Sequence, residues 1–295
     1  MNIDRWINEN TKSLKGKTVA VTGSTGGLGN ELCLILASLS AKIILVDRNC
    51  QKQQNLAKKI WDMYPETQIE FFYADLSDFR SVVMATEKLK ELSPDILILN
   101  AGAYSIPRHK TDIGFDNVFQ INFVSPYYMV RELLPVLREK SGRVVAVGSI
   151  AHNYSKTDKN DVDFALHRAA SKVYGNAKRY LMFSLFELFK NETEVSLAVT
   201  HPGITFTGIT NHYPKLIFAV IKHPMKVIFM KPKKAVLSIV KGVFKSTPYN
   251  NWYGPWLFSV WGRPRLSKLN TCTNAEILSI GKTAEEIYRK IKERA

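Results

Sequence analysis

The chain has 295 residues, 45% hydrophobic and 23% charged, a globular composition that excludes disorder, collagen and coiled coil and supplies one large domain or two small ones. Cys33, Cys50 and Cys272 lie far apart with no CxxC or Cys/His ligand spacing, so no disulfide framework and no metal site is expected, and a reducing, cytoplasmic setting follows. The net charge of +15 is a C-terminal property: residues 213–295 hold 16 Lys and Arg against 4 Asp and Glu, and no acidic residue occurs from Val195 to Ala275.

In chain order, the hydrophobic pattern predicts a strand at 17–23, a helix at 28–39, a strand at 41–47, a helix at 51–63 and a strand at 68–75. A helix at 79–92, a strand at 95–102, a helix ending near Arg138 and a strand at 142–149 continue the alternation. The strands are apolar throughout, as expected when helices cover both faces of a parallel sheet. After Ser149 come a polar loop, a helix at 166–190, a strand at 195–203 and a less regular basic tail. The expected fold is a single-domain α/β, Rossmann-type doubly wound sheet of six or seven strands spanning 1–295. Residues 15–210 form its cofactor-binding and catalytic core, and 204–295 a substrate lid and basic extension. No apolar run of about 18 residues and no signal-peptide core occurs, so neither export nor a membrane span is expected.

The first strand runs into Thr22-Gly23-Ser24-Thr25-Gly26-Gly27-Leu28-Gly29 and then a helix. Gly23 allows a sharp turn, Gly27 lets the backbone approach a pyrophosphate, and Gly29 lets helix pack on strand, while the helix N-terminus offers N–H groups and a positive dipole. The second strand ends at Asp47, about 20 residues on, where a carboxylate can accept from ribose hydroxyls and repel a 2′-phosphate. Arg48 pulls the other way, since a guanidinium can hold that phosphate; NAD is the preferred expectation and NADP the alternative. Asp75, followed by Leu76 at the end of the third strand, can reach an adenine amine or, with Ser77, cap the next helix.

Tyr174 and Lys178, 25 and 29 residues beyond Ser149, share one helix face. Together, these residues resemble the short-chain dehydrogenase/reductase family over about residues 15 to 210. The glycine turn is similar to the family's TGxxxGxG motif, Asn100-Ala101-Gly102 to its NAG motif, Asn122 to its helix asparagine, and Ser149, Tyr174 and Lys178 to its catalytic set. His201-Pro202-Gly203 with Thr207 resembles the PG motif that flanks the nicotinamide. The spacing from Ser149 to Tyr174 and the run TDIGFDNVFQINF (111–123) are similar to the retinol and hydroxysteroid dehydrogenase-like branch.

The resemblance implies hydride transfer between nicotinamide and a carbonyl or secondary alcohol, with Tyr174 as acid/base, its phenolate favoured by Lys178 and the oxidised cofactor. Ser149 then orients the substrate oxygen, Lys178 also binds the nicotinamide ribose, and Asn122 holds a water that relays the proton. It also implies a homodimer or homotetramer. Specificity is expected from Ala103–Ile113, Ala151–Leu166 and Ile204–Met230, the last an apolar stretch suited to a hydroxysteroid, bile-acid or retinoid-like substrate. His152 is expected on a surface loop. Trp252, Trp256 and Trp261 are expected to be buried against the last strand, with an interfacial belt as the alternative, and the basic tail to make weak contact with an anionic membrane, with no specific nucleic-acid binding. The alternatives are an NADP-dependent carbonyl reductase of smaller substrates and a non-catalytic dinucleotide sensor.

Overall fold

Adjacent aliphatic residues on each central strand enter two different cores. In the computed structural model, which describes residues 2–205 and 230–294, Ile44, Leu97 and Val144 belong to one buried cluster and Ile43, Ile98 and Val145 to the other. Period-two alternation makes this unavoidable once both faces of a sheet are covered.

The strands are β1 Thr18–Thr22, β2 Lys42–Asp47, β3 Ile69–Tyr73, β4 Ile96–Leu99, β5 Arg143–Val147, β6 Ser196–Thr200, β7 Asn251–Leu257 and β8 Trp261–Lys268. They form one sheet in the order β3-β2-β1-β4-β5-β6-β7-β8. The pairs up to β6–β7 are parallel and only β7–β8 is antiparallel. The order reverses between β1 and β4, and a crevice opens there at the carboxyl ends of the strands.

The helices are α1 Ile3–Asn10, α2 Gly27–Ser38, α3 Cys50–Met63, α4 Phe79–Leu92, α5 over 117–139, α6 Ala170–Leu188, α7 Leu237–Phe244 and α8 Asn274–Lys292. Residues of α2, α3 and α7 pack on one face of the sheet, those of α4, α5, α6 and α8 on the other. None of the described helices is long and apolar enough to cross a membrane.

Two expectations need correction. The sheet has eight strands rather than six or seven, because 251–268 of the irregular tail folds as a hairpin, and α8 follows it. A capping box of Thr273 and Glu276 starts α8, and Ile277, Ile280, Ala284, Ile287 and Ile291 give it a buried stripe. Of the three tryptophans, only Trp252 is buried, at 3% exposure; Trp256 is 56% exposed and Trp261 is half-buried. The expected lid lies mostly outside the described residues, and with it Thr207.

Candidate active site

β1 leads into Gly23 at φ +64°, where a Cβ would sit 2.7 Å from the Ala101 Cα. A Cβ on Gly29 would lie 2.2 Å from the Gly23 carbonyl oxygen. Only glycine fits either contact. Helix α2 starts on Gly26 without a side-chain cap, so the N–H groups of its first turn keep their donor capacity at the wall of the crevice.

That crevice is a cleft of about 630 Å3, walled by the glycine turn, the ends of β2 and β3, and the loop after β4. Gly23, Thr25, Gly27, Leu28, Asp47 and Arg48 line it, as do Asp75, Leu76, Asn100, Ala101 and Gly102. Ser24 does not: it is fully buried and its hydroxyl has no partner among the described residues. The Asp47 carboxylate accepts hydrogen bonds from the Thr25 N–H (3.0 Å) and hydroxyl (2.9 Å), tying the end of β2 to the glycine turn. Arg48 leans toward Asp75 at 4.0 Å. Asp75 holds Ser77, but the cap of α4 is Asp78, so the capping alternative for Asp75 falls away. The Asn100 side chain donates to the carbonyls of Thr22 (3.1 Å) and Gly23 (2.9 Å), locking the β4 loop beside the glycine turn.

Behind this loop lies the second part of the site. Asn122 is fully buried in a π-helical turn, Gln120–Val124, within α5. Its amide donates to the Val118 carbonyl, four residues back, and to the Ala103 carbonyl, both at 2.8 Å. The side chain thereby takes the acceptor that the α-helical ladder would use, which accounts for the wide turn. A Cβ on Gly102 would stand 2.8 Å from Asn122 Oδ1 and 3.4 Å from Lys178 Nζ, so this glycine keeps open the space between the two. Lys178, 2% exposed, donates to the Val147 carbonyl at 3.0 Å, and burial pulls its ammonium down to about 8.

One helical turn earlier on α6, Tyr174 meets Tyr104 edge to face, ring centroids 5.3 Å apart. Burial pushes its phenol up to about 12, against a hydrogen bond with the Ser149 hydroxyl that pulls the other way. Lys178 Nζ is 5.8 Å from the centre of the Tyr174 ring. Ser149, Tyr174, Lys178 and Asn122, expected from motif order alone, therefore meet in one place at the end of β5.

The family model for short chain dehydrogenase matches residues 17–215. The chain belongs to the short-chain dehydrogenase family, whose members are NAD(P)-dependent oxidoreductases of alcohols and ketones. It is 27% identical over 207 residues to the human polyprenol dehydrogenase, covering 66% of this chain and 63% of that protein. It is 30% identical over 204 residues to mouse retinol dehydrogenase 12, covering 68% of this chain and 65% of that protein. This chain thus spans somewhat less than two thirds of those relatives. Its fold is similar to the crystal structure of an uncharacterized protein from Mycobacterium paratuberculosis, with a TM-score of 0.75, 22% identity, and coverage of 95% of this chain and 96% of the other.

In this short-chain dehydrogenase the segments flanking Ser149, Tyr174 and Lys178 depart from expectation. His152 is not on the surface: it is 1% exposed, its Nδ1 lies 2.6 Å from the Ser149 carbonyl oxygen, and its ring meets Trp252 edge to face. The histidine sits in a 3-10 turn, Ile150–Tyr154, that folds back under β7, a contact to which the polar loop sequence offers no clue. Trp252 in turn stacks on His201 with ring centroids 4.7 Å apart. Pro202 and Gly203 are buried and do not line the cleft. Gly203, at φ +84°, lies beneath the β7–β8 hairpin, where a Cβ would come within 2.6 Å of the Val260 carbonyl oxygen.

The residues that sequence reasoning missed include Lys52 and Arg179, and Tyr104 was covered only as part of the segment Ala103–Ile113. Tyr104 and Lys52 join the cleft wall. Arg179, next to Lys178, reaches the carbonyls of Thr271 (2.6 Å) and His152 (3.4 Å), tying the catalytic helix to the C-terminal extension. None of them carried a local signal that sets it apart from a solvated residue.

Proposed function

We propose that this chain is an NAD(P)-dependent oxidoreductase, preferring NAD, of a hydrophobic alcohol and its carbonyl, of hydroxysteroid, bile-acid or retinoid-like type. The observation that carries the chemistry is the convergence of Ser149, Tyr174 and Lys178 beside a glycine-walled cleft. The cleft suits a dinucleotide on its own geometry: an uncapped helix N-terminus at one end, and at the other the space that a Cβ on Gly102 would fill.

A nicotinamide bound there supplies the hydride acceptor or donor, and its positive charge when oxidised. The protein does the rest. Gly23, Thr25, Gly27 and Leu28 contact the pyrophosphate, Asp47 and Arg48 the adenosine ribose, and Asp75 and Leu76 the adenine. Asn100, Ala101 and Gly102, with Tyr174 and Lys178, hold the nicotinamide ribose end, whereas Pro202 and Gly203, buried away from the cleft, back that end from beneath the hairpin. Ser149 donates to the substrate oxygen and Tyr174 exchanges a proton with it. A phenol held near 12 is a strong acid-form reservoir and a poor base, so oxidation requires positive charge from Lys178 and the cofactor to draw out the phenolate. Asn122 uses both amide hydrogens on backbone carbonyls; we assign it the ordering of the Ala103 loop and of the water next to Lys178.

The cleft's Asp47 supports NAD, because a carboxylate opposes a 2′-phosphate. Arg48 in the same wall supports the NADP reading as the second choice. The matches to a polyprenol and a retinol dehydrogenase support an apolar alcohol. We further propose one domain over 1–295, a homodimer or homotetramer, and a cytoplasmic location. The test is absorbance at the reduced-nicotinamide band with NAD or NADP and a panel of steroid, bile-acid, retinoid and short aliphatic alcohols. Turnover confined to apolar alcohols is expected, abolished in Tyr174→Phe with dinucleotide binding retained. Turnover of short aliphatic alcohols alone overturns the substrate reading, and a fully active Tyr174→Phe overturns the mechanism.

A further inference from the structure

The tip of the β7–β8 hairpin is built against the preferences of its own backbone. The Val260 N–H donates to the Leu257 carbonyl at 2.9 Å, and both residues between them are left-handed, Phe258 at φ +51° and Ser259 at φ +57°. Two positive φ values in a two-residue turn are the type I′ pattern, which favours Asn-Gly and disfavours a bulky ring at the first position. Phe258 is 79% exposed, so its ring gains nothing from the folded chain in return for that strain. Strain of this kind, kept where packing does not require it, points to a role outside the fold.

Two further observations surround it. Trp256, two residues before, is 56% exposed yet held in place, since a Cβ on Gly262 would lie 2.0 Å from the indole Cδ1. On β8, Arg263, Arg265 and Lys268 are exposed and make no ion pair with the described residues. No carboxylate occurs anywhere from Val195 to Ala275, and the next one, Glu276, already faces Arg179 at 3.6 Å. Protruding aromatics beside unpaired cations complement an anionic lipid surface: the rings enter the boundary between headgroups and acyl chains, and the cations lie against headgroup phosphates and carboxylates.

We propose that the hairpin tip, Trp256 and Phe258 with Arg263 and Arg265, is a docking site for an anionic membrane. The tip also adjoins the active site. Val260 and Pro255 close over Gly203 at the end of β6, and Trp252 of the same hairpin abuts His152 beside Ser149. Docking therefore brings the end of the sheet that bears Ser149 close to the lipid phase. The idea that the membrane delivers the substrate rests on the apolar-alcohol reading above; the docking itself does not.

The experiment is co-sedimentation of the full chain with vesicles of phosphatidylcholine alone and of phosphatidylcholine mixed with phosphatidylserine, at physiological salt. Binding to the serine-containing vesicles only, weakening as salt rises, is expected. Phe258→Asn and Trp256→Ser are each expected to weaken it about tenfold, while Phe258→Asn, which suits the turn better, raises the melting temperature. Loss of binding with a gain in stability is a pairing that damage to the fold cannot produce. Absence of vesicle binding by the parent chain, or unchanged binding by both variants, overturns the proposal. So does self-association of the chain that Phe258→Asn abolishes, which would make the tip an interface between two copies. Vesicle binding needs no turnover, so docking without activity on apolar alcohols would sink the substrate reading and leave the docking site standing.

Discussion

The Nδ1 atom of His152 lies 2.6 Å from the carbonyl oxygen of Ser149. Because a carbonyl can only accept, Nδ1 carries the proton in either charge state, and the neutral form of the ring is the Nδ1–H tautomer. Burial holds the ring in that form, pulling its pKa down to about 4. The ring thus fixes the backbone from which the Ser149 hydroxyl reaches Tyr174.

His152→Leu is expected to lower kcat about tenfold, less than the roughly hundredfold or more that follows loss of a donor to the reacting oxygen itself, with KM little changed. His152→Asn offers an amide N–H near the position of Nδ1 and should recover most of the rate. Steady-state kinetics on both variants checks this. Equal losses in the two would show that His152 serves only to fill space.

Asp47 decides the cofactor through its charge. Asp47→Asn keeps an oxygen for the Thr25 N–H and hydroxyl and removes only the negative charge facing a 2′-phosphate. The ratio of dissociation constants, read by quenching of tryptophan fluorescence, should move toward NADP by about tenfold, a change of about 1.4 kcal/mol. An unmoved ratio would give the choice to Arg48.

Acid should destabilise the protein through its two buried histidines. His152 and His201 are held down to about 4 and about 3, mainly by burial, against about 6.5 in an unfolded chain. The unfolded state binds protons that the folded state refuses, so their contribution is complete above about pH 6.5 and is lost as pH falls from there toward 4 and then 3. Each histidine contributes a slope of about 1.4 kcal/mol per pH unit in this window. Calorimetry across it should show a shallower slope in His201→Phe, which keeps an aromatic ring against Trp252; an unaltered slope would mean that His201 is protonated in the folded protein.

Gly102→Ala inserts a methyl group between Asn122 Oδ1 and Lys178 Nζ, at 2.8 and 3.4 Å. Both partners are buried and hydrogen-bonded, so neither can yield freely. Dinucleotide affinity and kcat are each expected to fall about tenfold or more with the fold retained, since displacements of this size at a reacting centre are costly. Titration of the reduced dinucleotide by fluorescence measures the first; parent-like affinity would mean that no ligand uses this space.

From β1 to β6 the elements were legible to within a few residues. Each strand is a short apolar run and each helix a 3.6-residue pattern, and the regular alternation of the two leaves few other ways to build a parallel sheet. The glycine turn was legible for a steric reason: Gly23 and Gly29 stand where a Cβ would strike backbone. The hairpin was not, because its turn, Phe258-Ser259, carries none of the residues that announce a type I′ turn. His152 and Arg179 were misread or missed for a related reason: a polar residue in a polar loop, or an arginine beside a catalytic lysine, looks solvated until a distant segment covers it.

The order of local signals along the chain was thus enough to determine the family and the first six strands, and to single out Ser149, Tyr174 and Lys178, because period and steric requirement are properties of short windows of sequence. Tertiary structure alone decided what surrounds those residues. Whether a ring is buried, a charge paired or a hairpin tip left in solvent depends on contacts between segments far apart in the chain, as where Trp252 covers His152 and Thr271 receives Arg179.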